Sequence, residues 1–363
     1  MTVRTREVLD PTRGGRMLLA AIAVGLVLAA AASVGRASAP SEPFRPLEAR
    51  AIPHADVTPK PARARAATSW SGGPTTAATG EVVNVYVSPS LPPDLGTAQT
   101  WADFIAGLVH GPELAKLTAY IAPLDEIAEM CGEDALGCYG SNELASMGET
   151  EYGITAAEVV RHEYGHHIAW NRLNTPWTAV DWGPKTWAST ANVCRRATDG
   201  TAYPGDEGDH YVLNPGEAWA ETYRVLDEQR SGATGSGWAL IDPSFSPDAA
   251  DLQAAERDVL QPWATATKAT FKHRFTKKGK LVWSIPIATP LDGDLAISIS
   301  LPKGGIQDVT LVDATSKARI ATGLWASTTT KRIAMQVCGT RSLVLKVTQR
   351  GAYGRVVVSL AKP

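Results

Sequence analysis

The residues with the clearest chemical potential form the motif HEYGH at positions 162–166. Residues four apart on an α-helix lie on the same face, one turn from each other. His162 and His166 can therefore supply two imidazole ligands to one Zn²⁺ ion. Glu163 would stand beside the metal, where its carboxylate can take a proton from the water that the metal activates. His167 is rotated by about 100° from His166 and is expected to be structural.

A catalytic zinc ion usually needs a third protein ligand and one open coordination position. The continuation HExxHxxGxxH is absent, because Ala169 and Arg172 stand where that pattern has Gly and His. A stronger candidate is the segment NPGEAWAE at 214–221, whose early proline predicts the start of a second helix. This helix would present Glu217 and Glu221 on one face, with Glu217 in its first turn as the third ligand.

The third ligand and its neighbour each have an alternative interpretation. Asp181, in the segment between the two helices, is an alternative ligand. Glu217 could instead be an ordinary first-turn acid that the helix dipole favours. Glu221 is expected to accept the far N–H of a ligating imidazole, that of His162, which fixes its tautomer. The alternative for Glu221 is a solvated helix glutamate.

These two motifs resemble those of the gluzincin metallopeptidases, over about residues 81–230. The similarity is greatest to small secreted bacterial zincins in which HEYGH is followed by an NPxEAFAE-type helix. It implies a zincin-like catalytic domain and a Zn²⁺ ion bound by His162, His166 and Glu217. Trp219 stands where Phe is commoner in that family, a change on the packing face of the helix.

Attack on a peptide carbonyl creates an oxyanion, which needs a hydrogen-bond donor besides the metal. His210 and Tyr211 directly precede the Glu217 segment and are the candidates. Related zincins often have a Tyr just upstream of the third ligand. The resemblance therefore makes Tyr211 the first choice and His210 the second.

Together these residues predict an exported zinc-dependent peptidase acting on a peptide or protein substrate, with Glu163 as general base. An alternative from another class is a catalytically inactive binding protein, secreted or at the cell surface, on a zincin scaffold. The intact Glu163 counts against it, since a decayed enzyme has no physical reason to keep a base beside the metal. A third option is a purely structural β-rich surface protein.

The N-terminus is typical of an export signal. Four arginines precede an apolar run from Met17 to Val34, and Ala37-Ser38-Ala39 then supplies small residues suited to signal peptidase. Residues 1–39 are therefore predicted to be a signal peptide. An uncleaved anchor through residues 17–34 is the alternative, because 18 residues is the lower limit for spanning a bilayer. Both interpretations place the rest of the chain outside the cytoplasm.

An extracytoplasmic location makes disulfides the expected state of the four cysteines. Cys131 and Cys138 are close in sequence, so a turn can bring them together. Four cysteines allow three pairings, and we favour Cys131 with Cys138 and Cys194 with Cys338. The second disulfide would join two domains. A four-thiolate zinc site is the weaker alternative, because the chain has no CxxC pair.

The length of 363 residues and 44% hydrophobic content predict about two domains with a sizeable core. Residues 40–80 are rich in Pro, Ala, Ser and Thr, which predicts a flexible linker. Residues 81–263 would form the zincin-like domain. In residues 264–363, short β-branched runs alternate with Gly-containing turns, which predicts an antiparallel β-sandwich. The predicted fold class is α+β.

Within the predicted catalytic domain, regular structure is expected to start at Val82. Hydrophobic periodicity predicts a helix over about 100–110. A second helix is expected over 155–173, and a third over 216–230. The segment 176–215 between them is expected to be rich in loops, because Gly and Pro recur through it.

Lys and Arg total 35 against 37 Asp and Glu, so the chain is nearly neutral. This balance argues against a nucleic-acid partner, which would need an excess of basic residues. The leader has a charge of about +3, so the exported part is near −5, which suits a soluble secreted protein. The C-terminal domain is a candidate for cell-surface attachment.

Overall fold

The computed structural model describes residues 70–238 and 241–363, all of which fall in one compact unit, Pro46–Pro363. The predicted signal peptide or anchor (1–39) and most of the predicted linker lie outside the described residues. Within the described part of the chain, no helix has the length and apolar character needed to cross a bilayer. The architecture is mixed α+β, with several sheets that contain antiparallel strand pairs.

A five-stranded sheet organises the first half of the described chain, with strand order β1-β2-β3-β5-β4. Its central pairs β2–β3 and β3–β5 are parallel, whereas the edge strands β1 and β4 pair antiparallel with their neighbours. The strands are β1 Ser71–Thr76, β2 Val82–Val87, β3 Thr118–Ala122, β4 Gly137–Gly140 and β5 Glu143–Met147.

Strand β1 corrects the predicted linker boundary, because regular structure is already present at Ser71, ahead of Val82. The sequence SGGPTT contains Gly, Pro, Ser and Thr, which usually indicate a linker. In this position they are compatible with an edge strand. Gly72 has φ of +110°, and a Cβ there would lie 2.2 Å from the backbone oxygen of Val85. Pro74 is tolerated because an edge strand leaves one row of N–H groups without a ladder partner.

Eight α-helices occur within the described residues. They are α1 Ala98–Ala106, α2 Leu124–Cys131, α3 Ala156–Trp170, α4 Ala179–Trp182, α5 Lys185–Thr190, α6 Val193–Thr198, α7 Pro215–Ser231 and α8 Ala249–Leu260. Short 3₁₀ turns cover Pro93–Leu95, Pro112–Lys116, Tyr211–Leu213 and Pro243–Phe245. Helices α1, α3 and α7 correspond to the three predicted from periodicity and capping. The first of them begins and ends earlier than predicted, because Thr97 caps it and Gly107 follows it.

The segment expected to be loop-rich contains more regular structure than predicted. It holds a small hairpin, β6 Leu173–Asn174 with β7 Trp177–Thr178, followed by helices α4, α5 and α6. These helices have only four to six residues, too few to show a hydrophobic period. Packing supplies their stability instead, since Trp182 and Trp187 are buried in the core of this half.

The C-terminal residues form two antiparallel sheets, each with one buried face, as in a β-sandwich. The five-stranded sheet has the order β13-β14-β10-β16-β8, and the four-stranded sheet has the order β12-β11-β15-β9. Six of these strands coincide with the short runs that the sequence indicates. The strands are β8 Thr267–Phe275, β9 Val282–Thr289, β10 Gly293–Ser300, β11 Asp308–Asp313, β12 Arg319–Thr322, β13 Leu324–Ser327, β14 Thr330–Val337, β15 Arg341–Thr348 and β16 Gly354–Lys362.

The two halves are joined covalently and by buried polar contacts. Cys194 of α6 is bonded to Cys338, which follows β14, and Cys131 is bonded to Cys138, as the favoured pairing has it. At the same junction, the backbone N–H of the buried residue Asp292 donates to the side-chain oxygen of Ser189 in α5 at 2.9 Å. Two disulfides in the described chain are consistent with an extracytoplasmic location.

Burial of Asp258 predicts a measurable pH dependence of stability. Its carboxylate accepts the backbone N–H groups of Thr186 and Trp187, in the first turn of α5. Burial raises the pKa of Asp258 to about 6, although these hydrogen bonds oppose the rise. The native state therefore binds more protons than the unfolded state between pH 4 and 6, so this residue's contribution to stability falls as the pH rises.

We expect the variant Asp258→Asn to lack this contribution. The difference in free energy of unfolding between variant and wild type should shift in favour of the variant by up to about 3 kcal/mol between pH 4 and 7. Urea denaturation at both pH values measures the difference. A difference that is constant with pH, or that moves in favour of the wild type, would contradict this assignment.

Candidate functional site

The HEYGH motif lies on α3, whose first turn is fixed by a capping box. The Thr155 side-chain oxygen accepts the N–H of Glu158 at 3.2 Å, and the Glu158 carboxylate accepts the N–H of Thr155 at 2.8 Å. These two bonds satisfy backbone groups that the helix itself leaves without partners. The helix then directs His162 and Glu163 into the interior, where each is 7% exposed, with His166 one turn further on.

The second motif begins α7, and its start is also set by the local sequence. The side chain of Asn214 accepts the N–H of Gly216 at 2.9 Å, and Pro215 occupies the first helical position. Both are preferred helix-start residues. Glu217 consequently lies in the first turn and Glu221 in the second, and both carboxylates are buried.

Helices α3 and α7 approach each other closely at Gly165 and Ala220. A Cβ at position 165 would lie 2.7 Å from the Cα of Ala220, closer than Cβ contacts in proteins allow. The indole N–H of Trp219 donates to the backbone oxygen of Gly165 at 2.7 Å, which fixes the same contact. The glycine inside the motif therefore sets the distance between the helices.

This approach brings the three predicted ligands together. The Glu217 carboxylate bridges the two imidazoles, with Oε2 3.1 Å from Nε2 of His162 and Oε1 3.2 Å from Nε2 of His166. The potential ligand atoms of the three residues all lie within 4.8 Å of one another. The juxtaposition joins residues that are 51 or more positions apart in the sequence.

A second set of contacts, on the side of His162 away from Glu217, supports this cluster. Nδ1 of His162 lies 3.3 Å from Oε2 of Glu221, the partner that the sequence predicts for it. Arg224 donates to both oxygens of Glu221, at 2.9 and 2.6 Å, and to Glu228 at 2.6 Å. Glu221 is therefore held on one side by a guanidinium and directed on the other side towards the imidazole.

The charges in the cluster are strongly coupled. Burial alone would lower the pKa of His162, but its hydrogen bonds with Glu217 and Glu221 outweigh burial and raise the pKa to about 10. The charge of Glu217 likewise raises the pKa of His166 against the effect of burial. In return, the two imidazoles hold the pKa of Glu217 well below its usual range despite burial. The Glu217 carboxylate is thus ionised, and its negative charge favours a positive charge on or between the two imidazoles.

Glu163 is adjacent to this cluster but is not part of it. Its carboxyl group lies beside the edge strand β4, where a Cβ at Gly137 would be 3.1 Å from its Oε1. Burial raises the pKa of Glu163, the two imidazoles lower it, and the charge of Glu217 raises it further. A carboxylate with a raised pKa can both accept and return a proton near neutral pH.

The two candidate oxyanion donors have different surroundings. The Tyr211 hydroxyl donates to Oε2 of Glu217 at 2.7 Å, so it lies at the cluster. His210 instead has its Nδ1 2.8 Å from Asp206, and its ring stacks on Tyr203 at 3.8 Å between centroids. None of these contacts of His210 is with a cluster residue.

Two other residues singled out from the sequence have contacts elsewhere. Asp181, the alternative third ligand, accepts a hydrogen bond from Thr178 and is outside the group of three. His167 is fully buried, with its ring nitrogens within hydrogen-bond distance of the Tyr139 hydroxyl and the backbone oxygen of Glu113. These contacts match the structural role expected for His167.

Glu207 lies near the cluster and was not among the residues that the sequence indicates. Its carboxylate accepts the side-chain N–H of Asn214 at 2.7 Å, the residue that caps α7. Burial and the charge of Glu217 raise the pKa of Glu207 to about 7. No spacing signal marks it, because it lies in a loop with no helical or strand period.

Two buried ion-pair residues were also missed, although one of them has a sequence signal. Arg224 follows Glu221 by three residues and precedes Glu228 by four, the spacing of helical ion pairs. Arg161 pairs with Asp227 at 2.7 Å and so ties α3 to α7 next to His162. That pair is not visible from spacing, because its partners belong to different helices.

Comparison with known proteins adds little to this description. No protein-family model matches the chain, and no curated protein matches it. A solved structure with some similarity is the pre-peptidase C-terminal domain of a collagenase from Bacillus anthracis. It has 11% sequence identity and a TM-score of 0.21, over 26% of this chain and 89% of that chain.

Contacts behind the cluster predict the effect of neutralising Glu221. For a cluster that holds Zn²⁺, we expect Glu221→Gln to weaken binding of the ion about 10- to 100-fold, because the variant loses the charge that orients His162. Competition with a chromogenic chelator measures this affinity. Glu133→Gln is the matched control, since Glu133 is exposed on a turn. Equal zinc affinity in the Glu221 variant and the control would exclude this role.

Proposed function

We propose that this chain is an exported zinc-dependent peptidase with a zincin-like catalytic domain. The observation that carries the proposal is the convergence of His162, His166 and Glu217 from two helices, with Glu163 beside them. The three residues supply the ligand types of a catalytic zinc site, and Glu163 supplies a base. The reaction is the hydrolysis of a peptide bond.

The three side chains suit Zn²⁺ in chemistry and in spacing. Two imidazole nitrogens and a carboxylate oxygen leave one position of a tetrahedron for the reactants. Two atoms bound at about 2.0–2.1 Å in a tetrahedron are about 3.3 Å apart. Here each imidazole Nε2 lies 3.1 or 3.2 Å from a different oxygen of Glu217, and the three ligand atoms are within 4.8 Å of one another. When bound there, Zn²⁺ would polarise the scissile carbonyl and lower the pKa of water.

Glu163 is assigned the proton transfers of the reaction. Its carboxylate would accept a proton from the attacking water and deliver it to the leaving amine. Burial raises the pKa of this group, which suits both transfers. Helix α3 holds it next to His162, so its position relative to the cluster is set by the helix backbone.

Strand β4 offers the substrate an extended docking edge. It is the last strand of its sheet, so its outer backbone groups have no strand partner among the described residues. Gly137, its first residue, lies against Glu163. A peptide that pairs with this edge would pass beside the general base, by the same strand addition that other peptide-binding sheets use.

Tyr211 is assigned the stabilisation of the oxyanion. Burial and the charge of Glu217 raise the pKa of its hydroxyl, so the group stays protonated and can donate. The hydroxyl lies 2.7 Å from Glu217, which keeps it beside the reacting atoms. His210 is not assigned this role, because its contacts are with Asp206 and Tyr203.

The role assigned to Glu163 predicts that replacing it removes activity but leaves the metal content unchanged. Glu163→Gln should lower kcat by about 10²- to 10⁴-fold, because glutamine cannot accept the proton. The zinc-to-protein ratio, measured by mass spectrometry, should stay that of the wild type. A chelator should stop hydrolysis by the wild type, and added Zn²⁺ should restore it.

Peptide-library digestion with the wild type, Glu163→Gln and the exposed control Glu133→Gln tests these expectations. The proposal is supported if Glu163→Gln loses activity while the wild type and Glu133→Gln keep it. Wild-type activity in that variant removes Glu163 from the reaction. A wild type that binds zinc and cleaves nothing in the library would identify the chain as the inactive binding protein instead.

The proposed donor predicts a smaller effect. Tyr211→Phe should lower kcat by roughly 10²-fold with little change in KM, because the lost hydrogen bond acts mainly in the transition state. Steady-state kinetics on one cleaved peptide measures both constants. Zinc affinity should be measured alongside, since Tyr211 also donates to Glu217. If kcat falls only in proportion to zinc occupancy, the Tyr211 hydroxyl acts by holding Glu217 and not by stabilising the oxyanion.

A further inference from the structure

The near neutrality of the chain conceals two regions of opposite charge. Residues 264–363 contain 16 Lys and Arg against four Asp and no Glu, a net charge of +12. Residues 81–263 contain nine Lys and Arg against 28 Asp and Glu, a net charge of −19. The β-sheet region is therefore strongly basic, although the whole chain carries only −2.

Strand pairing concentrates part of this charge on one surface. In β8, the alternate residues Lys268, Lys272 and Arg274 are exposed at the edge of the five-stranded sheet. Arg355 of β16 lies directly opposite Arg274, on the same face. Two strands further along the sheet, Arg332 of β14 also points outward, because its neighbour Ile333 is buried. We call these five residues the basic face.

Strand geometry gives this surface its dimensions. Lys268 and Arg274 are six residues apart on one strand, which corresponds to about 20 Å. The turn after β8 adds Lys277, Lys278 and Lys280, all exposed. The row of cations is therefore long enough to contact several charges of one extended polymer.

The five cations of the basic face are not neutralised by neighbouring acids in the described structure. None of its five residues forms an ion pair with the residues that the structure describes, in contrast to the paired Arg350 and Asp308 on the other sheet. Asp294 is the acidic residue that β8, β10, β14 and β16 direct outward, and it lies at the end of β10 near Lys185. Unpaired cations on a rigid sheet give a fixed positive surface.

Hydroxyl groups lie between the cations. Thr270 of β8 is opposite Ser359 of β16, which is opposite Ser298 of β10. Ser298 is in turn opposite Arg332. The three hydroxyls lie on three adjacent strands and can form hydrogen bonds with a polar ligand.

We propose that the basic face binds an anionic polysaccharide. The cations would contact the carboxylate, sulfate or phosphate groups, and the row of hydroxyls would contact the sugar hydroxyls. No aromatic, Leu, Ile or Met side chain points outward from β8, β16 or β10 in the described structure, and the exposed Leu324 of β13 lies beside Arg332 only, at the far edge of the sheet. Such side chains are what insertion into a membrane surface and stacking of nucleic-acid bases require. The proposal does not depend on peptidase activity.

Binding of the full chain to dextran sulfate tests the proposal, with neutral dextran as the matched polymer. We expect binding to dextran sulfate that weakens steeply with salt, because ion contacts are screened. Lys268→Glu/Lys272→Glu/Arg274→Glu should weaken it at least about tenfold. The charge-neutral variant Lys268→Gln/Lys272→Gln/Arg274→Gln should weaken it in the same direction by less, and circular dichroism checks the fold of both.

A second triple variant with the same change in net charge tests whether the position of the cations matters. Lys303→Glu/Arg319→Glu/Lys346→Glu alters three cations outside the basic face, and it should change the affinity less than about threefold. Equal losses in the two triple-Glu variants would overturn the proposal. So would equal binding to neutral dextran, no binding to dextran sulfate, or tighter binding to phosphatidylglycerol vesicles, which would identify a membrane surface instead.

Discussion

The bridge from one carboxylate to two imidazoles is the constraint on which the site depends. Glu217 can contact His162 and His166 together only because α7 lies against α3 at the one residue of the motif without a side chain, Gly165. The Trp219 indole fixes that contact by its bond to the glycine oxygen. The geometry of the cluster is thus a property of helix packing, and the long segment between the helices has little part in it.

Burial of so many carboxylates has consequences for stability as well as chemistry. Each buried arginine of the region meets an acid of the other helix, as in Arg161 with Asp227 and Arg224 with Glu158. Removing charge from water opposes folding, and a partner left unpaired is strongly destabilising. These pairs therefore specify how α3 and α7 align more than they add net stability. Helix alignment is what the bridging carboxylate requires.

Local rules account for what the sequence predicts correctly. The capping box at Thr155, the proline that opens α7 and the four-residue spacings all act within one helix. Those rules are sufficient to predict α1, α3 and α7, whereas the grouping of His162, His166 and Glu217 and the contact of Glu221 with His162 are expected from the ligand needs of a metal site. Glu207 and the strand SGGPTT escaped them, because a loop carboxylate and a glycine-rich edge strand gain their places through contacts with distant residues.

Net charge is a poor guide when a chain contains regions of opposite sign. An acidic region and a basic region cancel in the sum, yet screening limits charge effects to about 8–10 Å, so a ligand senses only the nearer one. A polyanion that the basic face attracts would be repelled by the acidic region. The Cys194–Cys338 disulfide and the hydrogen bond from the Asp292 N–H to Ser189 join the two halves, so the acidic and the basic region belong to one linked body. The net charge of −19 on the acidic region favours ligands that carry positive groups.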